Sequence, residues 1–333
     1  MHIFITGVGG FLGSNLADFY LKKGFKVSGN DNLVGGAKQN IDPKVNFYQY
    51  DSGNLEKNSK YFKDVDIVIH AAAYAHEGLS VFSPYLITNN IFSASVSVFT
   101  AAIQQNVKRI VYCSSMARYG DIALPYRETD IPNPVDPYGI AKLAAEKVLI
   151  NLSRTHGIEY NIAIPHNILG PKQKYDDPFR NVASIMINLM LQNRQAVIYG
   201  DGEQTRCFSD IEDCIYCIDQ LATNKNIVSE IFNIGPDENH ITVNELYKKI
   251  SNILKFNQEP IFCPDRPNEV KHSNCSADKA RIKLGYKTEF DVDASLLKMV
   301  DYIKKKGPRK FTYNYEIEIN NELTPKTWSE KFF

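Results

Sequence analysis

The sequence predicts an α/β protein: a doubly wound parallel sheet, followed by a smaller α/β lobe interwoven with it at the C-terminal end. Three observations predict this. Residues 2–31 read as strand, glycine turn, helix and a second strand ending in an acid. Apolar strands and helical stretches then alternate as far as Ile164. Past Ile164 the pattern loosens into a polar loop, short strands and separate helices. Strands that alternate with helices imply parallel pairing, with both faces of the sheet covered.

The first element is the apolar strand His2-Ile3-Phe4-Ile5-Thr6, followed at once by Gly7-Val8-Gly9-Gly10-Phe11-Leu12-Gly13. Ser14 to Lys23 reads as a helix with Leu16, Phe19 and Tyr20 on one side, and Gly24 to Val27 begins a strand that ends at Gly29-Asn30-Asp31. This context gives the glycines meaning. Gly7, Gly10 and Gly13 permit a tight turn, a close approach of backbone to a pyrophosphate, and close packing of helix on strand. The helix start offers free N–H groups and partial positive charge to phosphates. Asp31 stands where an acid can bond the ribose hydroxyls of a dinucleotide, and it would repel a 2′-phosphate. The expected unit is therefore of Rossmann type, and the expected cofactor is NAD rather than NADP.

Val45 to Tyr50 is the next strand and ends at Asp51. Asp64 to His70 is a turn and a buried strand, closed by Ala71-Ala72-Ala73; Phe82 to Gln104 is a long helical stretch. Val107 to Cys113 is a strand that places Ser114 and Ser115 at its carboxyl end. A helix is expected from Pro137 to Thr155, with Asp136 as N-cap and Pro137 at the first position. Ile158 to Ile164 is a further strand. Ligands of such sheets bind beyond the carboxyl ends of the strands, where the glycine loop, Asp31, the alanine run and Ser115 all fall. Tyr138 and Lys142, four residues apart, share one helix face. Tyr and Lys at this spacing are often no more than a solvated helix face; their place after a strand end argues for a pocket. A cation near a phenol favours its phenolate, so Tyr138 is expected to have a lowered pKa and to serve as a base.

Pro165 to Arg180 is polar and rich in Pro and Lys, a loop over the site. Asn181 to Gln192 is helical, Ala196 to Tyr199 a short strand, Gly200-Asp201-Gly202 a turn, Ile231 to Gly235 a strand and Thr242 to Leu254 a helix. The expected division is residues 1–165 for the cofactor unit and 166–333 mainly for substrate, with an approximate boundary and a tail over 306–333. Alternation at Phe311, Tyr313, Tyr315, Ile317 and Ile319 suggests an edge strand that packs on the body or on a second copy.

Composition bounds the partners. The 333 residues are 44% hydrophobic and 23% charged, with 38 basic and 38 acidic side chains, so no charge excess points to nucleic acid or a membrane surface. No apolar run is read as long enough to span a bilayer, and the opening residues lack a signal-peptide pattern. The six cysteines are sparse and irregular, as expected of reduced thiols in a cytoplasmic protein. Cys214-x-x-Cys217 lacks a second ligand pair and falls in an apolar helical pattern, so core packing rather than a metal site is expected.

With these residues in place, the chain resembles the extended short-chain dehydrogenase/reductase family, in its nucleotide-sugar epimerase branch, from about His2 to Leu284. The resemblance rests on Thr6-Gly7-x-x-Gly10-Phe11-x-Gly13, Asp31-Asn32-Leu33, His70-Ala71-Ala72-Ala73, Ser114-Ser115, Tyr119-Gly120 and Tyr138-x-x-x-Lys142. It continues through Gly170-Pro171, Tyr199-Gly200-Asp201-Gly202, Arg206-x-Phe208 and Arg266-Pro267-x-Glu269-Val270. The resemblance implies catalytic roles for three residues: Tyr138 as base on a sugar hydroxyl, Lys142 on the nicotinamide ribose, and Ser115 on the reacting oxygen. It implies cofactor contacts from Gly7, Gly10, Phe11, Leu12, Gly13, Asp31, Asn32, Asp51 and Ser52. Ala71, Ala72, Ala73, Tyr138 and Lys142 complete that set; His166 stands where epimerases usually have an Arg or similar residue, and is expected near the nicotinamide. For the substrate it implies Ser115, Met116, Asn167 and Asn181, with Arg206 and Arg266 on the diphosphate. Glu77 and Ser273 are placed near the sugar by approximate alignment, Glu77 disfavouring uronates by charge and Ser273 leaving room for an acetamido group. A homodimer formed through a helix pair is also implied.

Departures narrow the chemistry. The related 4,6-dehydratases carry an Asp-Glu pair just after the catalytic hydroxyl, where this chain has Met116 and Ala117. Elimination therefore lacks its acid and base. The leading expectation is NAD-dependent epimerisation, at C4, of a nucleoside-diphosphate sugar. A nucleotide-sugar dehydrogenase or decarboxylase would share the first oxidation, and a non-catalytic NAD-sensing protein would share the fold. The nucleotide base and the sugar are open.

Overall fold

The glycine turn that ends the first strand opens onto a seven-stranded sheet in the computed structural model, which describes residues 1–238 and 240–333. The strands are β1 (His2–Thr6), β2 (Lys26–Asp31), β3 (Asn46–Gln49), β4 (Ile67–His70), β5 (Arg109–Cys113), β6 (Glu159–Pro165) and β7 (Glu230–Ile234). Their order is β7-β6-β5-β4-β1-β2-β3, and every pairing is parallel. The chain winds outward from β1 to β3 and then returns to β4 on β1's other side. That reversal opens a crevice at the carboxyl ends of β1 and β4.

Alternating side chains of the strands feed two cores. Ile3 and Ile5 of β1 pack with Leu16, Ala17 and Tyr20 of α1 (Phe11–Lys22) on one face. Phe4 turns to the other face, where it meets Val98 and Phe99 of α3 (Pro84–Gln104) and the cluster around Ala145 and Leu149 of α4 (Pro137–His156). A short helix α2 (Leu55–Tyr61) lies beside α3. Asp136 caps α4 by accepting from the Gly139 N–H at 2.8 Å, and Gly157 at φ +76° ends it.

The chain beyond residue 165 serves both layers. Helix α5 (Val182–Leu191) packs with α7 (Val243–Leu254) and α9 (Val292–Lys306) in a second core. Helix α6 (Ile211–Thr223) instead crosses back onto the α1 face of the main sheet, and β7 extends that sheet at its edge. Helix α8 (Asp278–Leu284) follows there, with Ala280 and Leu284 in the same core. Cys214 and Cys217 are free, buried thiols of that core.

Two expectations change here. Helix α3 does have the length and apolarity of a membrane span, which the sequence reading denied. Half of its most apolar stretch is buried, as in a core helix, because it packs on the sheet and alongside α4. Residues 311–319 form no strand. Tyr315 is buried and Tyr313 and Ile317 face the same cluster, so the alternation reports a buried face without a ladder.

Candidate active site

At the crevice beside β1 lies a cavity of about 470 Å³, within the range of small-molecule sites. Its cofactor end is built by the loop from Gly7 to Gly13. Gly7 has φ +72°, and a Cβ there would fall 2.8 Å from Ala72 Cα, so the loop is pressed against the alanine run. Gly10 precedes α1 without any side-chain cap. The first N–H groups of the helix therefore face the cavity without a side-chain partner, the arrangement that receives a phosphate. Asp31 accepts from Gly9 N at 3.0 Å and Leu33 N at 2.7 Å. Burial pushes its pKa up, and these backbone N–H groups hold it down. Asn32 donates to Asp51 at 2.8 Å and to the Tyr74 hydroxyl at 3.0 Å, while Ser52 accepts from Asn30 at 3.0 Å. Thr6 Oγ1 accepts from Ala72 N at 3.1 Å and contacts His70 Nδ1 at 2.7 Å, which fixes the alanine run over β1. An uncapped helix start behind a glycine cradle, with an acid at the end of β2, fits NAD.

The reacting end lies where β5 stops and α4 starts. Ser115 caps a short turn by accepting from Ala117 N at 3.2 Å. Ser115, Tyr138 and Lys142 all line the cavity. Lys142 Nζ donates to Cys113 O at 2.8 Å and sits 5.9 Å from the centre of the Tyr138 ring. Burial lowers the Lys142 pKa to about 8. The Tyr138 pKa, expected to fall, instead lies well above the usual phenol value. Burial of the phenol is the largest cause; the bond with Ser115 opposes it, and the Glu77 and Asp136 carboxyls add to the rise.

The substrate end is ringed by Glu77, Asn167, Asn181, Arg206 and Arg266. Glu269 takes a two-pronged grip from Arg266, at 3.0 Å and 2.8 Å. Arg206 donates to the carbonyls of Thr205, Val270 and Lys271 and lies 3.5 Å from Glu269. Asn181 caps α5 through Ala183 N at 2.9 Å. Glu77 opens a one-turn helix, Glu77–Ser80, keyed to α4, since Tyr138 N donates to Ser80 Oγ at 3.2 Å. Its carboxyl stands deep in the cleft yet open to the cleft's own space. Protein on every other side, with Asp136 next, pushes its pKa up to about 7 against the pull of Arg206 and Arg266.

Three predicted contacts turn away. His166 is buried behind the wall, with Nε2 2.9 Å from Pro236 O and Nδ1 3.1 Å from Cys275 Sγ. Burial lowers its pKa to about 4, so the ring is neutral there. Met116 packs into the α4 core, and Ser273 sits in a two-residue strand paired to Arg206 without reaching the cavity. Arg118, at the turn after Ser115, forms a buried ion pair with Glu146 of α4 at 3.1 Å, and Ser114 donates to the same carboxylate.

Other lining residues escaped the sequence reading. Arg180, in the polar loop, faces the cleft 3.6 Å from Asp177; its position at the end of a loop expected to cover the site was the available signal. Phe179, Tyr199 and Phe333 also line the cavity. Among the described residues no cluster of His, Cys, Asp and Glu has metal-site geometry.

Comparison with known proteins accords with this geometry. The family described as NAD dependent epimerase/dehydratase matches residues 3–235. A putative UDP-glucose 4-epimerase of Methanocaldococcus jannaschii is 34% identical over 310 residues, covering 91% of this chain and 98% of that protein. The crystal structure of Thermotoga maritima UDP-glucose 4-epimerase with UDP-glucose superposes with a TM-score of 0.86 at 30% identity, covering 92% of this chain and 99% of that one. UDP-glucuronic acid decarboxylase 1 of Danio rerio is 26% identical over 97% of this chain and 76% of its own length.

Proposed function

The chain belongs to the NAD dependent epimerase/dehydratase family, and from that premise we propose that it epimerises a nucleoside-diphosphate sugar at C4. One observation carries the reading. A single cleft holds an uncapped helix start at one end, the Arg206 and Arg266 guanidinium groups at the other, and Ser115, Tyr138 and Lys142 between them.

NAD, when bound, supplies the acceptor and then the donor of the hydride. The residues fitted to hold it are the loop from Gly7 to Gly13, Asp31, the alanine run and Lys142. Tyr138 takes the proton from the sugar hydroxyl and returns it, and Ser115 hydrogen-bonds the same oxygen. The Lys142 ammonium, together with the positive charge that NAD would bring, would favour the phenolate, against the burial that holds the proton on Tyr138 in the free protein. Arg206 and Arg266 clamp the diphosphate, leaving the sugar free to turn over between two presentations of its ring.

A second reading, decarboxylation, has the Danio rerio protein in its favour. Glu77 weighs against it, because a carboxylate in the sugar pocket repels a uronate. UDP-glucose is the first substrate to test, since the Methanocaldococcus jannaschii and Thermotoga maritima proteins carry that sugar in their names.

The protein is read as cytoplasmic from its six free cysteines, five of them buried. It is read as a homodimer because a helix-pair interface would cover Tyr85 and Phe92 of α3 and Ile140 of α4, all exposed. A one-protomer mass by light scattering would refute the dimer.

The purified protein is incubated with UDP-, GDP-, CDP- and dTDP-sugars, and products are followed by mass and by NADH absorbance. Equal-mass product without net NADH is expected, and Tyr138→Phe should lower turnover at least about 100-fold with NAD still bound. Accumulated NADH, a lost carboxyl group or full activity in the variant refutes the reading.

A further inference from the structure

The tail from Tyr313 onward touches the cleft from three sides. Trp328 is buried, with its ring centre 5.2 Å from that of Phe179 and 6.1 Å from that of Phe82. A Cβ placed on Gly78 would lie 3.3 Å from Trp328 and also 3.3 Å from Arg266 Nη1. The indole and the guanidinium that faces the diphosphate end therefore both rest against Gly78, in the turn that carries Glu77. Its neighbour Thr327 hydrogen-bonds the Tyr199 hydroxyl, and the Arg266 guanidinium lies over the Tyr199 ring at 4.8 Å. Phe333, tied back by its N–H to the Tyr313 hydroxyl at 3.2 Å, lines the cavity itself.

The rest of the tail is fastened to the frame of the site. The Glu318 carboxylate accepts from the N–H groups of Tyr85 and Leu86, both at 2.9 Å, at the start of α3, where negative charge is stabilising. Ser83 Oγ donates to Glu316 O at 2.6 Å, and Ile319 N donates to Phe82 O at 2.8 Å. Tyr315 is buried against His76, with ring centres 4.4 Å apart. A tail that only covered apolar surface would need neither the approach to Gly78 nor the bond to Tyr199, both of which line the cleft.

We propose that residues 313–333 form a working wall of the substrate end, in which Trp328 is a positioning residue for Arg266 and the Glu77 turn, and Phe333 is a specificity-determining residue. The proposal rests on the nucleotide-sugar reading of the cleft. Arg266 is held by its two bonds to Glu269 and lies over the Tyr199 ring, and Gly78 links it to the indole. Removing the indole frees the Gly78 turn, against which rests a guanidinium whose reach must be fixed to grip a diphosphate.

The test uses the NAD-loaded full chain with Trp328→Ala, Trp328→Leu, Trp328→Phe and Phe333→Ala. Measured are kcat and KM for the nucleotide sugar, the Kd for UDP alone, and retained NAD. Trp328→Ala should raise KM and the UDP Kd about tenfold, with Trp328→Phe restoring most of the loss. Phe333→Ala should raise KM roughly threefold to tenfold. Retained NAD should match the wild type throughout, because the cofactor end does not touch these residues. Folded, NAD-loaded Trp328→Ala and Phe333→Ala with unchanged KM and Kd overturn the wall. If Trp328→Ala does not fold, unchanged constants in both Trp328→Leu and Phe333→Ala overturn it. A wild type that binds UDP but converts no sugar refutes the epimerase reading alone, while the UDP Kd still decides the wall. A wild type that binds none of the common nucleoside diphosphates ends both.

Discussion

Replacing Gly13 with Ala separates the shape of the cofactor loop from its charge. A Cβ at Gly13 would stand 2.1 Å from Gly7 O, 2.8 Å from Gly7 C and 3.0 Å from Val8 Cα. All three are backbone atoms, so no side chain can swing aside. To regain ordinary contact, the first turn of α1 must withdraw from the glycine loop by more than about 1 Å, since packed interiors transmit such strain. The N–H groups of Phe11 and Leu12 would move with it. Overpacking of this kind costs about 1–3 kcal/mol of stability, and a misplacement of about 1 Å in a binding array can cost roughly 100-fold. The variant should therefore fold with a lowered Tm and lose its NAD on desalting. The assay is NAD content by chromatography of the denatured protein, with thermal unfolding in added NAD and circular dichroism to check the fold. Gly24→Ala is the control: Gly24 has φ +78° but nothing within 4 Å of an added Cβ. It should show only left-handed strain, about 1–2 kcal/mol, with full NAD. A Gly13→Ala protein that keeps NAD as the wild type does would refute the loop geometry.

Two further outcomes are expected. Arg118→Met strands the Glu146 carboxylate in a pair whose side chains are 6% and 1% exposed. It should cost about 3–5 kcal/mol in urea unfolding, with most of that restored by Arg118→Met combined with Glu146→Leu; a double variant as unstable as the single one contradicts this. Glu77 ionises near pH 7, and its charge raises the Tyr138 pKa. In Glu77→Gln that charge is gone at every pH, so the acid limb of the kcat/KM profile should move to lower pH. Turnover of UDP-glucuronate relative to UDP-glucose should rise, and an unmoved profile would show that Glu77 does not act on the phenol.

Residues whose roles depend on spacing along regular elements were readable from the sequence. Gly7, Gly10 and Gly13 follow a strand, Asp31 ends the next, and Tyr138 and Lys142 lie one helical turn apart, so the backbone alone brings them to one crevice. At two positions just past strand exits the direction of the side chain was not readable. His166 immediately follows β6, and nothing in the order of residues says whether its ring enters the crevice or, as found, turns behind it toward Pro236 and Cys275. Met116 likewise sits in a turn whose direction is set by the Ser115 cap. The Tyr138 pKa was misjudged for a different reason. Spacing shows that an ammonium is near, but the sign of the shift depends on how much water the folded walls exclude, and burial dominates here.

The tail marks where periodicity stops informing. The period-two run found the right face, since Tyr313, Tyr315 and Ile317 all meet the body. A strand needs a neighbour whose N–H and C=O groups run alongside it. From Glu316 to Ile319 the partners are instead a loop carbonyl at Phe82, the Ser83 hydroxyl and the helix start at Tyr85 and Leu86. Those partners lie more than two hundred residues upstream and belong to the frame of the cleft. Their use by the tail follows from the placement of α3 beside α4, a property of the assembled sheet rather than of either segment. Trp328 could not be singled out in the sequence either: an isolated aromatic residue acquires its role only when Gly78, Phe82 and Phe179, from separate stretches, are brought around it.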